Sequence, residues 1–168
     1  MRVKVKRNLE EGPKELTPFK LSNTQDKIAQ QIEEFYAKKK RYSGIEEITE
    51  WNGYELRKIV GKFDKTHRWF LYDNGEPKLF VQFSGYGDPQ SSEYGLQINN
   101  IRKTEGGFNA SDFYKFLMEQ ADINPNGILY SDSQQTPGGK AIWSKLDTDS
   151  DIEVEDLGKV LRAKFKED

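Results

Sequence analysis

The stretch that decides the fold is residues 96–146, LQINNIRKTEGGFNASDFYKFLMEQADINPNGILYSDSQQTPGGKAIWSKL. Its first residues belong to a strand pattern that covers residues 94–101, and a turn containing two glycines follows. Phe113, Leu117 and Ala121 then recur at helical spacing. A short apolar run at residues 127–130 predicts a buried strand, and Pro137 suits the first position of a second helix. This order of strand, loop, helix, strand and helix predicts a βαβ unit.

Before this stretch, three short runs show strand character. They are residues 54–60, 68–72 and 78–84, and the last two flank the turn sequence Asp-Asn-Gly-Glu at residues 73–76. An antiparallel meander is therefore predicted. The fold class expected for the whole chain is α/β in the mixed, α+β sense.

The two ends of the chain are less regular. Val3 and Val5 suggest a short strand, residues 10–21 a loop, and residues 26–41 a helix with a capping box at Ser22 and Gln25. A second, shorter helix is predicted over residues 43–50. Near the C-terminus, the apolar spacing fits either a helix or a closing strand, and both alternatives stay open. We predict that residues 1–50 form an N-terminal extension with helices packed on or preceding the core, and that residues 51–168 form the domain.

Composition excludes several classes of protein. The chain has 168 residues, no cysteine and a single histidine, His67, which argues against disulfides, thiolate catalysis and a zinc or other metal site. The formal net charge of -2 comes from 26 basic and 28 acidic residues, so a nucleic-acid partner is not expected. No apolar run reaches the length of a signal peptide or a membrane span, which predicts a cytoplasmic protein without a membrane partner.

The predicted order of elements over residues 51–157 resembles the GNAT family of N-acetyltransferases. This resemblance implies a mixed, mostly antiparallel central sheet flanked by helices. It also implies acetyl-CoA as the cofactor, with the pantetheine arm lying beside a splayed strand at residues 96–101. The pyrophosphate would then contact backbone N–H groups at the glycine turn, where a helix dipole favours an anion.

The resemblance also assigns roles to individual residues. Gly106 and Gly107 lack a Cβ atom, so the backbone can approach a phosphate closely. Tyr130 and Asp132, at the end of the short strand, are candidates for the catalytic acid or base, and Glu93 is a candidate base. The acyl acceptor would be an amine of a small molecule or a protein. The residues expected to contact the cofactor are Ile98, Asn100, Ile101, Arg102, Lys103, Gly106, Gly107, Phe108 and Asn109.

A second hypothesis follows from two departures from the family pattern. Phe108 stands where the second small residue of the turn is expected, and Trp143 stands where many members carry an acidic tyrosine. An indole N–H donates hydrogen bonds but is not a usable acid. The alternative function is therefore a catalytically inactive GNAT-like binding or structural module with a protein partner. The sequence SDSQQTPGGKAIW at residues 131–143 also resembles acetyltransferase-like proteins of phages or mobile elements.

Overall fold

The computed structural model describes residues 20–42, 45–61 and 65–167. The predicted strand at Val3 and Val5 lies outside the described residues. Of the predicted loop at 10–21, only residues 20 and 21 are described. The described residues form three helices and eight strands. In chain order these are α1 (Lys20–Tyr42), β1 (Ile45–Trp51), β2 (Tyr54–Val60), β3 (His67–Asp73), β4 (Glu76–Tyr86), β5 (Gly95–Lys103), α2 (Ala110–Met118), β6 (Leu129–Tyr130), α3 (Pro137–Asp147), β7 (Ile152–Asp156) and β8 (Leu161–Phe165).

All of the described strands belong to one sheet. Their order across the sheet is β1-β2-β3-β4-β5-β6-β8-β7, and every neighbouring pair is antiparallel except β5 and β6. The predicted α+β class with a mostly antiparallel sheet is confirmed. The meander from β2 to β4 is also present, and Asn74 (φ 52°) and Gly75 (φ 82°) form its tight turn in the left-handed region.

The helix predicted over residues 43–50 is wrong. Residues 45–51 form strand β1, which pairs with β2 along its whole length from Ile45 opposite Val60 to Trp51 opposite Tyr54. The reason lies in Asn52 (φ 54°) and Gly53 (φ 86°), whose left-handed backbone closes a two-residue hairpin. That turn connects β1 directly to β2. The local helix-capping pattern was therefore outweighed by pairing with β2.

The structure also tests the predictions made for the two ends of the described chain. Helix α1 begins at Lys20, so Ser22 lies inside the helix and the predicted capping box at Ser22 and Gln25 is wrong. At the other end the strand alternative is the correct one. Strand β8 follows a turn at Gly158, whose φ of 100° suits glycine, and it lies between β6 and β7.

The two largest clusters of apolar side chains pack against the sheet. Trp69 and Leu71 of β3 contact the cluster that contains α2 and α3, whereas Phe70 and Tyr72 contact the cluster that contains α1. Because successive residues of a strand point to opposite faces, the two clusters lie on opposite sides of the sheet. The larger cluster includes Phe113, Tyr114, Leu117, Trp143 and Leu146, and it covers the face of the sheet on which α2 and α3 lie.

Candidate functional site

Strands β5 and β6 separate soon after they meet. They pair in parallel at only two positions, Leu96 with Leu129 and Gln97 with Tyr130, although β5 continues to Lys103. From Ile98 onward, no strand of the described chain pairs with the second edge of β5. That edge borders a cavity, the inner groove. Its walls are Ile98, Asn99, Asn100, Ile101, Arg102, Tyr114, Asp132, Gln134, Gln135, Thr136, Gly139 and Trp143.

A second cavity, the outer groove, continues from the first. The two share Ile101, Thr136 and Gly139, and their cavity volumes are about 50 and 360 Å³ respectively. The volume of the outer groove lies within the range typical of sites for small molecules, roughly 300–1,000 Å³, whereas the inner groove is a narrow extension of it. The outer groove is lined by Ile101, Lys103, Phe108, Asn109, Ala110, Ser111, Thr136, Gly138, Gly139, Ala141, Ile142 and Lys145. One continuous groove therefore runs from the point where the strands separate to the starts of α2 and α3.

A β-bulge in β5 lies where the inner groove begins. Opposite β4, Gln82 pairs with Asn100 and Phe83 pairs with Ile98, so Asn99 is an extra residue in β5. The Ser84 hydroxyl donates a hydrogen bond of 3.1 Å to Asn99 Oδ1, which fixes the bulged residue. A bulge bends its strand and re-aims nearby groups. It therefore helps to separate this part of β5 from β6.

The glycine turn is shaped by its own backbone and by the β1–β2 hairpin. Gly106 (φ 81°) and Gly107 (φ 87°) both adopt left-handed conformations. A Cβ atom at Gly107 would lie 2.7 Å from the Tyr54 hydroxyl oxygen. The Phe108 ring packs 5.1 Å from the ring of Tyr54 and 5.4 Å from that of Trp51. Phe108 thus anchors the turn to the hairpin and forms part of the outer groove's wall.

Positively charged side chains lie beside the groove. The ammonium group of Lys103 donates to the carbonyl oxygens of Thr104 (2.9 Å) and Gly106 (3.1 Å), which holds it against the glycine turn. Burial lowers the pKa of Lys103; repulsion by Lys78 acts in the same direction, and attraction to Glu105 opposes it. Two further cations border the groove, Arg102 in its inner part and Lys145 in its outer part.

The starts of α2 and α3 add to the positive charge beside the groove, because helix N-termini carry exposed N–H groups and a partial positive charge. Thr136 Oγ1 accepts a hydrogen bond of 3.1 Å from the Gly139 N–H and so caps α3. Asn109 is the N-cap of α2, but its side chain makes no cap hydrogen bond with the described chain. The first turn of α2 is thus capped less fully than that of α3. The outer groove is suited to an anion.

The residues predicted to contact a cofactor lie together. Ile98, Asn100, Ile101 and Arg102 line the inner groove, Ile101 also lines the outer groove, and Lys103, Phe108 and Asn109 line the outer groove alone. Gly106 and Gly107 form the turn between Lys103 and Phe108.

The three predicted acid and base residues do not lie together. Asp132 lines the inner groove. The Tyr130 hydroxyl instead donates to the backbone carbonyl of Glu93, and the Glu93 carboxylate pairs with Arg162. The Tyr130 ring also lies 4.4 Å from the Tyr86 ring, at an interplanar angle of 38°. Neither Tyr130 nor Glu93 lines either part of the groove.

Tyr114 and Gln135 are among the groove residues that were not identified from the sequence. Tyr114 is only 1% exposed and lies on α2, and burial raises the pKa of its hydroxyl. Its position beside Phe113 and three residues before Leu117 marked it as a core residue of an amphipathic helix. Gln135 lies in a polar loop, where no sequence pattern distinguishes it from its neighbours.

No protein-family model matches the chain, and no curated protein matches it in sequence. Within residues 20–42, 45–61 and 65–167, no helix is both long and apolar enough to cross a bilayer. The same residues contain no group of three or more histidine, aspartate or glutamate side chains arranged to hold a metal ion. Inference about function therefore starts from the groove.

Proposed function

We propose that this protein is an acyl-CoA-dependent N-acetyltransferase with a GNAT-like fold, which binds acetyl-CoA in the groove beside β5. The observation that carries the proposal is the unpaired edge of β5 from Ile98 onward, bordering a groove with positive charge at its outer end. An extended arm can hydrogen-bond to a free strand edge as an added strand does. Phosphates are matched by cations and helix N-termini at the far end of the same groove.

The topology supports the GNAT-like arrangement. In the described chain, the parallel pair β5 and β6 is connected through α2, and β8 lies between β6 and β7. The parallel strands separate at a bulge, which leaves a gap in an otherwise antiparallel sheet. A ligand site where parallel strands separate also follows the general tendency of α/β sheets to bind ligands at the carboxyl ends of strands.

The residues of the groove fit each part of acetyl-CoA. Lys103, Lys145 and the first turns of α2 and α3 would hold its phosphates, while the edge of β5 at Ile98–Ile101 would orient its arm. Acetyl-CoA would supply an activated thioester: attack on its carbonyl carbon by an amine of a small molecule or a protein would form an amide as the carbon–sulfur bond breaks, and CoA would leave as a thiolate that takes a proton from solvent. Asp132 is the predicted acid–base residue that lines the inner groove, and its carboxylate would accept the proton that the amine loses.

Acetyl-CoA is expected to raise the stability of the protein. At a concentration 100 times its dissociation constant, a ligand that binds only the folded state adds about 2.7 kcal/mol. A thermal-shift titration measures this increase, and quenching of the tryptophan fluorescence, to which the groove residue Trp143 contributes, gives an independent signal. Acetate at the same concentration is the control. Absence of any shift at millimolar acetyl-CoA would reject the proposed function.

Gly139→Ala is expected to weaken acetyl-CoA binding about tenfold without loss of stability. A Cβ atom there would lie 3.5 Å from Thr136 Oγ1, an ordinary contact, and alanine stabilises a helix by up to about 1 kcal/mol over glycine. The methyl group would, however, stand where the inner and outer grooves join. Overfilling a packed space costs about 1–3 kcal/mol, hence the loss of affinity. Titration calorimetry and urea unfolding measure the two effects.

Ser144→Ala is the matched control for Gly139→Ala. Ser144 lies on the same helix, is exposed, and lines neither part of the groove. Its substitution should leave acetyl-CoA affinity unchanged. Equal affinities for the wild type and Gly139→Ala would place the ligand elsewhere.

The alternative function, a binding module without catalysis, is favoured by the surroundings of the acid and base candidates. The hydroxyl of Tyr130 is engaged by Glu93 away from the groove, and Trp143 occupies the groove wall. Release of free CoA in the presence of a panel of amines and peptides distinguishes the two. Binding of acetyl-CoA without any release of thiol would favour the module.

A further inference from the structure

Strand β1 forms one edge of the sheet. Its inner side pairs with β2 at all seven positions without a bulge, from Ile45 opposite Val60 to Trp51 opposite Tyr54. No strand of the described chain pairs with its outer side. The outer side of an edge strand presents unpaired N–H and C=O groups, to which another strand can be added. A strand as long and regular as β1 therefore offers a place for one more strand.

The side chains of β1 indicate which kind of strand would fit. The strand contains Glu46, Glu47 and Glu50 and no basic residue. Ile48, at its centre, is 58% exposed, although large apolar side chains are rarely exposed in the described chain. Opposite charges and apolar pairs across neighbouring strands both stabilise a sheet. The fitting strand therefore carries basic side chains together with an apolar side chain that covers Ile48.

A second copy of β1 does not meet this requirement. If two copies paired antiparallel around Ile48, Glu46 of each strand would lie opposite Glu50 of the other. Like charges directly opposite one another destabilise a sheet. Charged side chains on an edge strand are one way in which proteins prevent edge-to-edge association. The added strand must therefore come from another segment.

One segment of the chain itself has the required composition. Residues 2–7, RVKVKR, carry four basic side chains and no acidic one, and Val3 and Val5 alternate with basic residues as in a strand. These residues lie outside the described part of the chain. We propose that residues 2–7 add to the outer side of β1 of the same molecule as a further strand of the sheet.

An antiparallel register with Val5 opposite Ile48 brings matching side chains together. The Val5 side chain would cover the exposed side chain of Ile48. At the next position, Lys6 would lie opposite Glu47, which is also exposed. The pairing therefore matches an apolar side chain with an apolar one and a cation with an anion.

The chain between this segment and α1 is long enough to reach β1. The Tyr36 hydroxyl of α1 donates to the Glu46 carboxylate, which places this part of the helix beside β1. Lys20, where α1 begins, lies sixteen residues earlier, about 24 Å along the helix at 1.5 Å per residue. The twelve residues 8–19 span up to about 40 Å when extended. The segment can therefore pair with β1 of its own molecule, and this inference does not depend on the proposed function.

Disulfide cross-linking of the full chain tests the assignment, because the chain has no cysteine of its own. Opposite residues of neighbouring strands have Cβ atoms about 4.5–5.5 Å apart, so Val5→Cys combined with Ile48→Cys should form an intramolecular disulfide under mild oxidation. The matched control combines Val5→Cys with Leu157→Cys, since Leu157 is 44% exposed and follows β7 at the opposite edge of the sheet. We expect the first pair to cross-link at least about tenfold faster, as measured by mass spectrometry of the oxidised protein.

Equal cross-linking rates in the two proteins would overturn the assignment. A disulfide that joins two molecules would overturn it as well, because β1 would then take this segment from a second copy. Electrophoresis without reducing agent separates the two kinds of product by mass.

Hydrogen exchange measures the same pairing without cysteines. The backbone N–H groups of β1 that do not bond to β2 should exchange slowly in the wild type, because the added strand accepts their hydrogen bonds. The double substitution Val5→Pro and Lys6→Pro removes two successive donors, one of which must point toward β1. We expect these β1 groups to exchange at least about tenfold faster in that variant, while those of the interior strand β3 stay unchanged. Equal exchange of the β1 groups in the two proteins would count against the added strand.

Discussion

Phe113→Ala is expected to lower the free energy of unfolding by about 3–5 kcal/mol, the usual cost of truncating a buried aromatic side chain. Phe113 is completely buried in α2 (0% exposed). Its ring lies 5.1 Å from that of Trp51, 5.6 Å from that of Phe116 and 6.4 Å from that of Trp69. The substitution would leave a cavity between α2 and the sheet that rigid aromatic neighbours cannot fill.

Urea unfolding measures this loss, and Phe116→Ala is the matched control. Phe116 lies on the same helix and touches the same tryptophans, but it is only partly buried. Its truncation should therefore cost less, about 1–2 kcal/mol, because part of the ring already contacts solvent. Equal losses for the two variants would contradict the view that Phe113 is the central contact between α2 and the β1–β2 hairpin.

The order of elements was predictable because the signals for it are local. The helical spacing of Phe113 and Leu117, the short apolar run before Tyr130 and the Thr136-Pro137 start of α3 each lie within a few residues. Strand β1 was missed for the opposite reason. Its stability comes from pairing with β2 and from contacts such as the hydrogen bond from the Tyr36 hydroxyl to Glu46, which join distant segments.

The candidate site was predictable to a similar degree. Residues 98–109 are contiguous in sequence, so naming the strand and the turn was enough to place the part of the groove's wall that β5 and the glycine turn form. Tyr130 follows Leu129, and alternation along the strand sends the two side chains to opposite faces, which takes Tyr130 away from the cluster that contains α2. The missing partner of Gln135 Oε1 is a property of the packed structure, and no sequence pattern encodes it.

Gly95→Ala is expected to lower the free energy of unfolding by about 3 kcal/mol, near the upper end for overpacking a core, and to damage the groove at its origin. Gly95 opens β5 immediately before the two positions that pair with β6. A Cβ atom there would lie 2.5 Å from the carbonyl oxygen of Ile128 and 2.9 Å from its carbonyl carbon. Both are backbone atoms, so no side-chain rotation relieves the overlap, and β5 and β6 must move apart.

The separation would also break the hydrogen bond of 3.0 Å from the Leu96 N–H to the Ile128 carbonyl oxygen, which sets the register of the parallel pair. Gly138→Ala makes the same chemical change where the nearest atom, Thr136 Oγ1, lies 3.9 Å away, so its stability should equal or exceed that of the wild type. Urea unfolding of both variants gives the comparison. A Gly95→Ala protein as stable as the wild type would mean that β5 and β6 do not approach this closely, and the gap between them would then need another cause.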